Sequence, residues 1–252
     1  MTKRRRLVRP LRLRGWALFR GGAASVSLAP GQPGQGWRWA LGQADFEVLE
    51  PTQLQALHRR SSLSGTSQVQ LCEHLLAALV LANIDDCDIR FHQPEAPILD
   101  GSAGPWLRAI RQAGIRGPTR QDQLEIGVIW RGKKLAWTGV DAGQRIVPMA
   151  RARTFISQKE AAQLRRTGLF PGARPGCALV LDSTGKSALY GGRPRLREEP
   201  LNHKLLDVLG DLGPWRARGR ITGRLWLEEP GHSTNKEAIS AAFADGQLVL
   251  HR

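Results

Sequence analysis

Apolar positions along the chain follow two periods. Up to residue 50 they come in short alternating runs, as where Leu11 and Leu13 are separated by Arg12 and Arg14. Gly-Gly at 21–22 and a Pro/Gly cluster over 30–36 break these runs, so strands and turns are predicted. Leu71, Leu75, Ala78, Leu79 and Ala82 recur at helical spacing and predict a helix over 73–83, followed by an alternating strand over 87–92. Pro94, Pro97 and a DGSAG turn at 100–104 lead into a short helix over 105–113 that ends at Gly114.

A polar linker at 117–122 follows, and the pattern restarts. Strands are predicted over 124–129 and 134–137, a helix over 157–166, a strand over 178–181 and a Gly-, Pro- and charge-rich loop over 183–200. A helix over 201–212, a strand over 219–228, a helix over 233–244 and a strand over 247–251 close the chain. Strands and helices in similar order in both halves predict an α+β protein of two subdomains, 1–116 and 123–252.

Three constellations carry candidate chemistry. In N-H-K-L-L-D, His203 and Asp207 stand four apart, which stacks them on one helix face within reach of one divalent cation. Asp211 continues that stripe, and two carboxylates so placed repel unless a cation lies beside them. A capped amphipathic helix with a solvated face carries the same pattern. Glu73 and His74 are adjacent, so both can border one cleft as a metal ligand and a proton-accepting carboxylate. An exposed pair at a helix end reads the same way. His232, behind Pro230 and Gly231, sits at a helix entry, where an imidazole oriented by a carboxylate such as Asp211 can act as general acid. Together they form a zinc-hydrolase inventory: His74, His203 and Asp207 as ligands with an open fourth position, Glu73 as base and His232 as acid.

Composition narrows the partners. Lys plus Arg outnumber Asp plus Glu by 37 to 22, a net charge of +15, which calls for an anionic partner. Residues 1–14 carry seven of those cations, and the first acidic residue is Asp45. Arginines interrupt the apolar residues too soon for a secretory signal, and no run approaches the roughly 18 apolar residues of a spanning helix. Three cysteines, an odd number, fit a reducing cytoplasm. A nucleic-acid arm is the competing reading of the basic start, but aromatic and basic residues do not interleave there, and no nucleic-acid partner is expected. The better reading is a half-buried strand with a basic outer face. Nothing in the sequence specifies an oligomeric state.

Five segments, in order, resemble the bacterial UDP-3-O-acyl-N-acetylglucosamine deacetylases, zinc enzymes of lipid A synthesis. They are CEHLLAAL at 72–79, PEAPILDGSAGPW at 94–106, RARTF at 151–155, HKLLDVLGDL at 203–212 and PGHSTN at 230–235. The resemblance implies two duplicated α+β subdomains, of the kind in ribosomal protein S5 domain 2, with helix layers packed between two sheets and the site at their junction. It implies Zn2+ on His74, His203 and Asp207, Glu73 as base, and His232 as the catalytic His with Asp211 as its partner. It further implies Lys204 as the motif lysine, Thr154 as the oxyanion contact and Phe155 as a substrate contact. An insert near 156–182, with Leu169 on its wall, is implied as the acyl channel. The implied substrate is an acylated UDP-sugar, handled in the cytoplasm with peripheral contact at the inner membrane. A noncatalytic paralogue that binds the nucleotide-lipid or a partner enzyme is the alternative. Two departures stand out: fewer than fifty residues separate Trp106 from the RTF motif, and Phe19 stands where the family's early turn carries His.

Overall fold

Short alternating runs become sheets, and the long apolar runs become helices buried between them. A computed structural model describes residues 4–119, 123–139, 147–168, 170–174, 176–185 and 192–251. Leu169 and part of the linker therefore lie outside the described residues. Along the chain, β1 (Arg6–Leu7), β2 (Leu11–Trp16), β3 (Ala23–Pro30), β4 (Trp37–Leu41) and β5 (Glu47–Val48) precede β6 (Leu54–Leu57), β7 (Arg60–Ser64) and β8 (Gln68–Gln70). Then come α1 (Glu73–Leu81), β9 (Cys87–Phe91), α2 (Gly104–Gln112) and β10 (Ile115–Arg116). The second half runs β11 (Leu124–Trp130), β12 (Lys133–Thr138), β13 (Phe155–Ser157), α3 (Gln158–Thr167) and β14 (Leu179–Leu181). It closes with α4 (Glu199–Arg218), β15 (Arg220–Glu228), α5 (His232–Ala244) and β16 (Leu248–His251).

The two main sheets have orders β2-β3-β9-β4-β5 and β12-β11-β15-β16. In each, the strand after the central helix enters parallel to an earlier one: β9 beside β4 after α1, and β15 beside β11 after α4. The α+β class and the repeated order are thus present. Inward side chains of the first sheet (Val26, Leu28, Trp37, Trp39, Ile89, Phe91) and of the second (Ile126, Val128, Ile221, Leu227) join the helices in one continuous core. All nine residues of α1 are buried, as expected of a helix apolar on every side and covered on every side.

Helix α4 departs from expectation at both ends. It starts at Glu199, inside the predicted loop, and continues past residue 212 through Gly213 and Pro214 to Arg218. Gly-Pro reads locally as a stop, and an internal proline costs about 3 kcal/mol. Tertiary packing offsets that cost: Trp215 stacks on Phe243 with ring centroids 5.8 Å apart, and buried Arg216 bonds Asp85 at 3.0 Å. Several further strands were not predicted. The polar β6–β7–β8 sheet carries too weak an alternation to stand out, and β13, three residues long, exists through its parallel pairing with β14. Near the N-terminus Leu11 and Leu13 are half-buried, with Arg12 and Arg14 exposed between them. The Arg4 guanidinium reaches Asp86, that of Arg5 bonds the Ala82 and Gly117 carbonyls while its backbone N–H donates to Asp85, and that of Arg6 reaches the Gly31 carbonyl. Among the described residues no helix is long and apolar enough to cross a membrane.

The two halves meet where α1 crosses α4. Gly210 faces the backbone of Glu73 so closely that a Cβ would collide with the Glu73 carbonyl oxygen, and Gly213 packs on Leu76. Gly210→Ala is therefore expected to destabilise the fold by about 1–3 kcal/mol through overpacking. Denaturant midpoints check this; a midpoint at or above the wild-type value would show that the crossing tolerates the methyl group.

Candidate active site

The first turn of α1 and two turns of α4 face each other at this crossing. Glu73 and His74 open α1, while His203 and Asp207 stack on one face of α4. His203 Nε2 lies 3.3 Å and His74 Nε2 3.9 Å from Asp207 Oδ1, and the two imidazoles meet edge to face at 5.1 Å. One ligand atom from each of the three residues lies within 4.8 Å of the others. Both histidines are buried, so the solvated-face and exposed-pair readings are ruled out.

The electrostatics of this trio are those of a cation site. Burial pushes the pKa of both His74 and His203 down to about 3, leaving neutral imidazoles with a free lone pair. His203 Nδ1 must donate to the Ala152 carbonyl at 3.1 Å, because a carbonyl only accepts, so its Nε2 lone pair faces Asp207. Asp207 Oδ1 is buried without a hydrogen-bond partner, and burial raises the pKa of its carboxyl group. A buried carboxylate oxygen left unsatisfied between two imidazole lone pairs fits a divalent cation, and an N,N,O donor set suits zinc.

Asp211, one turn beyond Asp207, does not join the trio. Its Oδ2 accepts from His232 Nδ1 at 2.9 Å and from Asn235 Nδ2 at 2.8 Å, and its Oδ1 accepts from the Ser61 hydroxyl. Ser61 Oγ also lies 3.0 Å from His232 Nδ1, and the Ser61 N–H donates to Glu73 Oε2 at 3.2 Å. Burial works against a charged His232, but the Asp211 carboxylate prevails and raises its pKa to about 10. Burial lifts Glu73 to about 7. An acid held protonated and a base able to ionise near neutrality thus flank the trio.

Other predicted groups lie around the same space. Lys204 Nζ donates to the Pro230 carbonyl at 2.7 Å and stands 5.7 Å from the Phe155 ring centroid. Phe155 meets the His203 ring edge to face at 6.1 Å. Thr154 is fixed through its backbone, its N–H bonded to Gly101 O at 2.7 Å and its carbonyl to the Leu179 N–H at 2.8 Å. Its neighbour Arg153 pairs with buried Glu199 at the start of α4, at 2.9 Å, so the RTF segment and the ligand helix hold together. Thr154, Phe155, Lys204 and the trio line a cavity of about 920 Å³. Away from the trio its wall turns apolar, through Leu57, Ile156, Leu164, Phe170 and Val180. Phe19 lies on this wall too, packed on Phe170 at 4.6 Å and under the Arg60 guanidinium at 3.8 Å. Local spacing gave no hint of Ser61 or of the Ala152 carbonyl; Asn235 stood in a quoted motif without a role.

The sequence profile of the UDP-3-O-acyl N-acetylglycosamine deacetylases matches residues 4–148 and 131–244. Among similar curated proteins, the UDP-3-O-acyl-N-acetylglucosamine deacetylase of Thermosynechococcus vestitus is 28% identical over 84% of this chain and 84% of its own length. That of Haemophilus influenzae is 28% identical over 97% of this chain and 91% of its own. That of a Synechocystis species is 30% identical over 81% and 86%. With the profile spanning both sheets and the helices whose crossing builds the site, this chain belongs to the UDP-3-O-acyl N-acetylglycosamine deacetylase family.

Proposed function

We propose that the protein hydrolyses the N-acetyl group of a UDP-3-O-acyl-N-acetylglucosamine, releasing acetate and the free amine, as a zinc-dependent step of lipid A synthesis. The observation that carries this reading is the buried trio His74, His203 and Asp207 flanked by Glu73 on one side and the His232–Asp211 pair on the other. His74, His203 and Asp207 would hold the cation. Bound there, zinc supplies Lewis acidity that lowers the pKa of water and polarises a carbonyl.

The chain's own residues supply the rest. Glu73, as carboxylate, takes a proton from the attacking water. Thr154 is the donor assigned to the developing oxyanion, on a backbone pinned by Gly101 and Leu179. Asp211 accepts the Nδ1–H of His232, so Nε2–H is the proton given to the departing amine nitrogen. Water, less one proton, ends on the acetyl carbon, and the amine leaves with the proton from His232. Ser61 is a positioning residue: its hydroxyl and backbone N–H tie the acid pair and the base to one strand. Lys204, anchored on the turn before His232, adds positive charge beside the cavity for the substrate phosphates. The apolar wall takes the acyl chain, with Phe155 between it and the reacting centre. Leu169 is assigned to that wall from the motif order alone.

Glu73→Gln is expected to lower acetate release by about 10²–10⁴-fold while one zinc per chain remains bound, and His203→Ala to lose the zinc. Metal analysis beside an acetate assay separates the two. Full turnover in Glu73→Gln would remove the base from this scheme, and metal-loaded wild type that releases no acetate on several acyl lengths would favour the noncatalytic paralogue.

The pH profile carries a sign. Activity requires His232 protonated, so it falls as pH rises through the His232 pKa, near 10. Asp211→Asn removes the charge that holds that proton and should move the alkaline limb of kcat/KM toward the ordinary histidine range near 6.5. An unmoved limb would assign it to another group. Ser61→Ala is expected to lower kcat about tenfold or more with little change in KM, as a lost hydrogen bond to a charged group does. A KM effect alone would point instead to substrate contact.

A further inference from the structure

The diphosphate of the proposed substrate does not account for a net charge of +15, and the guanidinium groups of Arg4, Arg5 and Arg6 are already taken by Asp86 and by the Ala82, Gly117 and Gly31 carbonyls. The outer face of the five-stranded sheet offers another use for the charge. Strand alternation puts Arg12, Arg14 and Trp16 of β2 on that face, with Arg90 of β9 and His92 beyond it. Between β2 and β9 the β3 residues are small. Arg12 donates to Ser25 Oγ at 2.8 Å, and Ser27 Oγ lies 2.9 Å from His92 Nε2. Burial lowers the pKa of His92, and the charges of Arg12, Arg90 and Arg14 lower it further, so these guanidinium groups act on one point. Asp88 on the same face is engaged by Arg38 at 2.8 and 2.7 Å.

At the end of this face the character changes. Trp16 is 46% exposed, with the Arg174 guanidinium 4.0 Å from its ring centroid. Arg174, Pro171 and Ala173 are exposed and also line the cavity, so the cavity opens beside Trp16. An exposed indole, a bank of arginines and the mouth of an apolar cavity share one edge of the molecule. Indole rings settle at the headgroup level of a bilayer, and arginines near an anionic leaflet gain from its surface potential.

Arg90 is held by the Gly42 and Ala44 carbonyls at 2.7 and 3.0 Å, so we propose that Arg12, Arg14 and Trp16 of this sheet face, with Arg174, dock on an anionic lipid surface and set the cavity mouth against it. A polynucleotide would satisfy the arginines but would leave Trp16 and the cavity mouth without an apolar partner. The preference for lipid rests on the acylated-substrate reading, whereas the binding itself is measured without substrate. Cosedimentation at physiological salt compares vesicles of phosphatidylglycerol in phosphatidylcholine with pure phosphatidylcholine. Wild type is expected on the anionic vesicles only. Arg12→Gln/Arg14→Gln should weaken that partition about 30-fold, roughly fivefold for each arginine. Lys134→Gln/Arg224→Gln removes equal charge from the second sheet and should stay within about twofold of wild type. Acetate release from a soluble short-chain substrate, unchanged in Arg12→Gln/Arg14→Gln, shows that this variant is folded. Equal losses in both pairs, absence of wild type from the anionic vesicles, or binding to duplex DNA without binding to vesicles would each overturn the proposal. Vesicle binding by a protein that releases no acetate would leave the docking face standing and remove the deacetylase reading.

Discussion

The close crossing of α1 over α4 is the contact on which the site depends. Glycine at 210 lets the backbone of Glu73 lie directly on α4, and only at that separation do His74, on one helix, and His203 with Asp207, on the other, come within reach of one cation. The same crossing strips water from the trio. That burial keeps both imidazoles neutral and leaves Asp207 Oδ1 without a partner. Burying such groups costs several kcal/mol unless something compensates them. The fold tolerates that cost between its two main sheets, where α1 and most of α4 are buried.

Around this centre the titratable groups are held by residues from distant parts of the chain. Asp211 orients His232 from α4, Asn235 fixes Asp211 from α5, and Ser61 reaches across from β7 to Asp211 and Glu73. The buried Arg153–Glu199 pair does the corresponding work for the Thr154 segment. His232, Glu73 and the Thr154 segment are each braced from a second element, which limits how far any of them can drift.

What could be read in the sequence tracks how local each interaction is. His203 and Asp207 were legible because a helix converts a spacing of four into adjacency, and Glu73 with His74 because they are neighbours. The His232–Asp211 pair spans two helices and entered as one option for a lone histidine, strengthened by resemblance. Ser61 had no local signal: it lies 150 residues from Asp211, on strands whose polar composition hid them. The run of α4 through Pro214 was equally hidden, since Trp215 and Arg216 compensate the proline through partners far away in sequence. The N-terminal arginines could not be sorted from the sequence, because Asp86 and the Ala82 carbonyl, which take the guanidinium groups of Arg4 and Arg5, lie some eighty residues on.

The insert formed by β13, α3 and β14 leaves the body after the Thr154 segment and returns as a strand parallel to its own beginning. It lends the cavity Ile156, Leu164 and Val180 but none of the three cation-site residues. Selection can therefore lengthen, narrow or reline this wall one side chain at a time without disturbing the helices that carry the three cation-site residues. The shape of the cavity and the geometry of the cation site can evolve on separate schedules, because the wall is an appendage while the trio belongs to the buried helices.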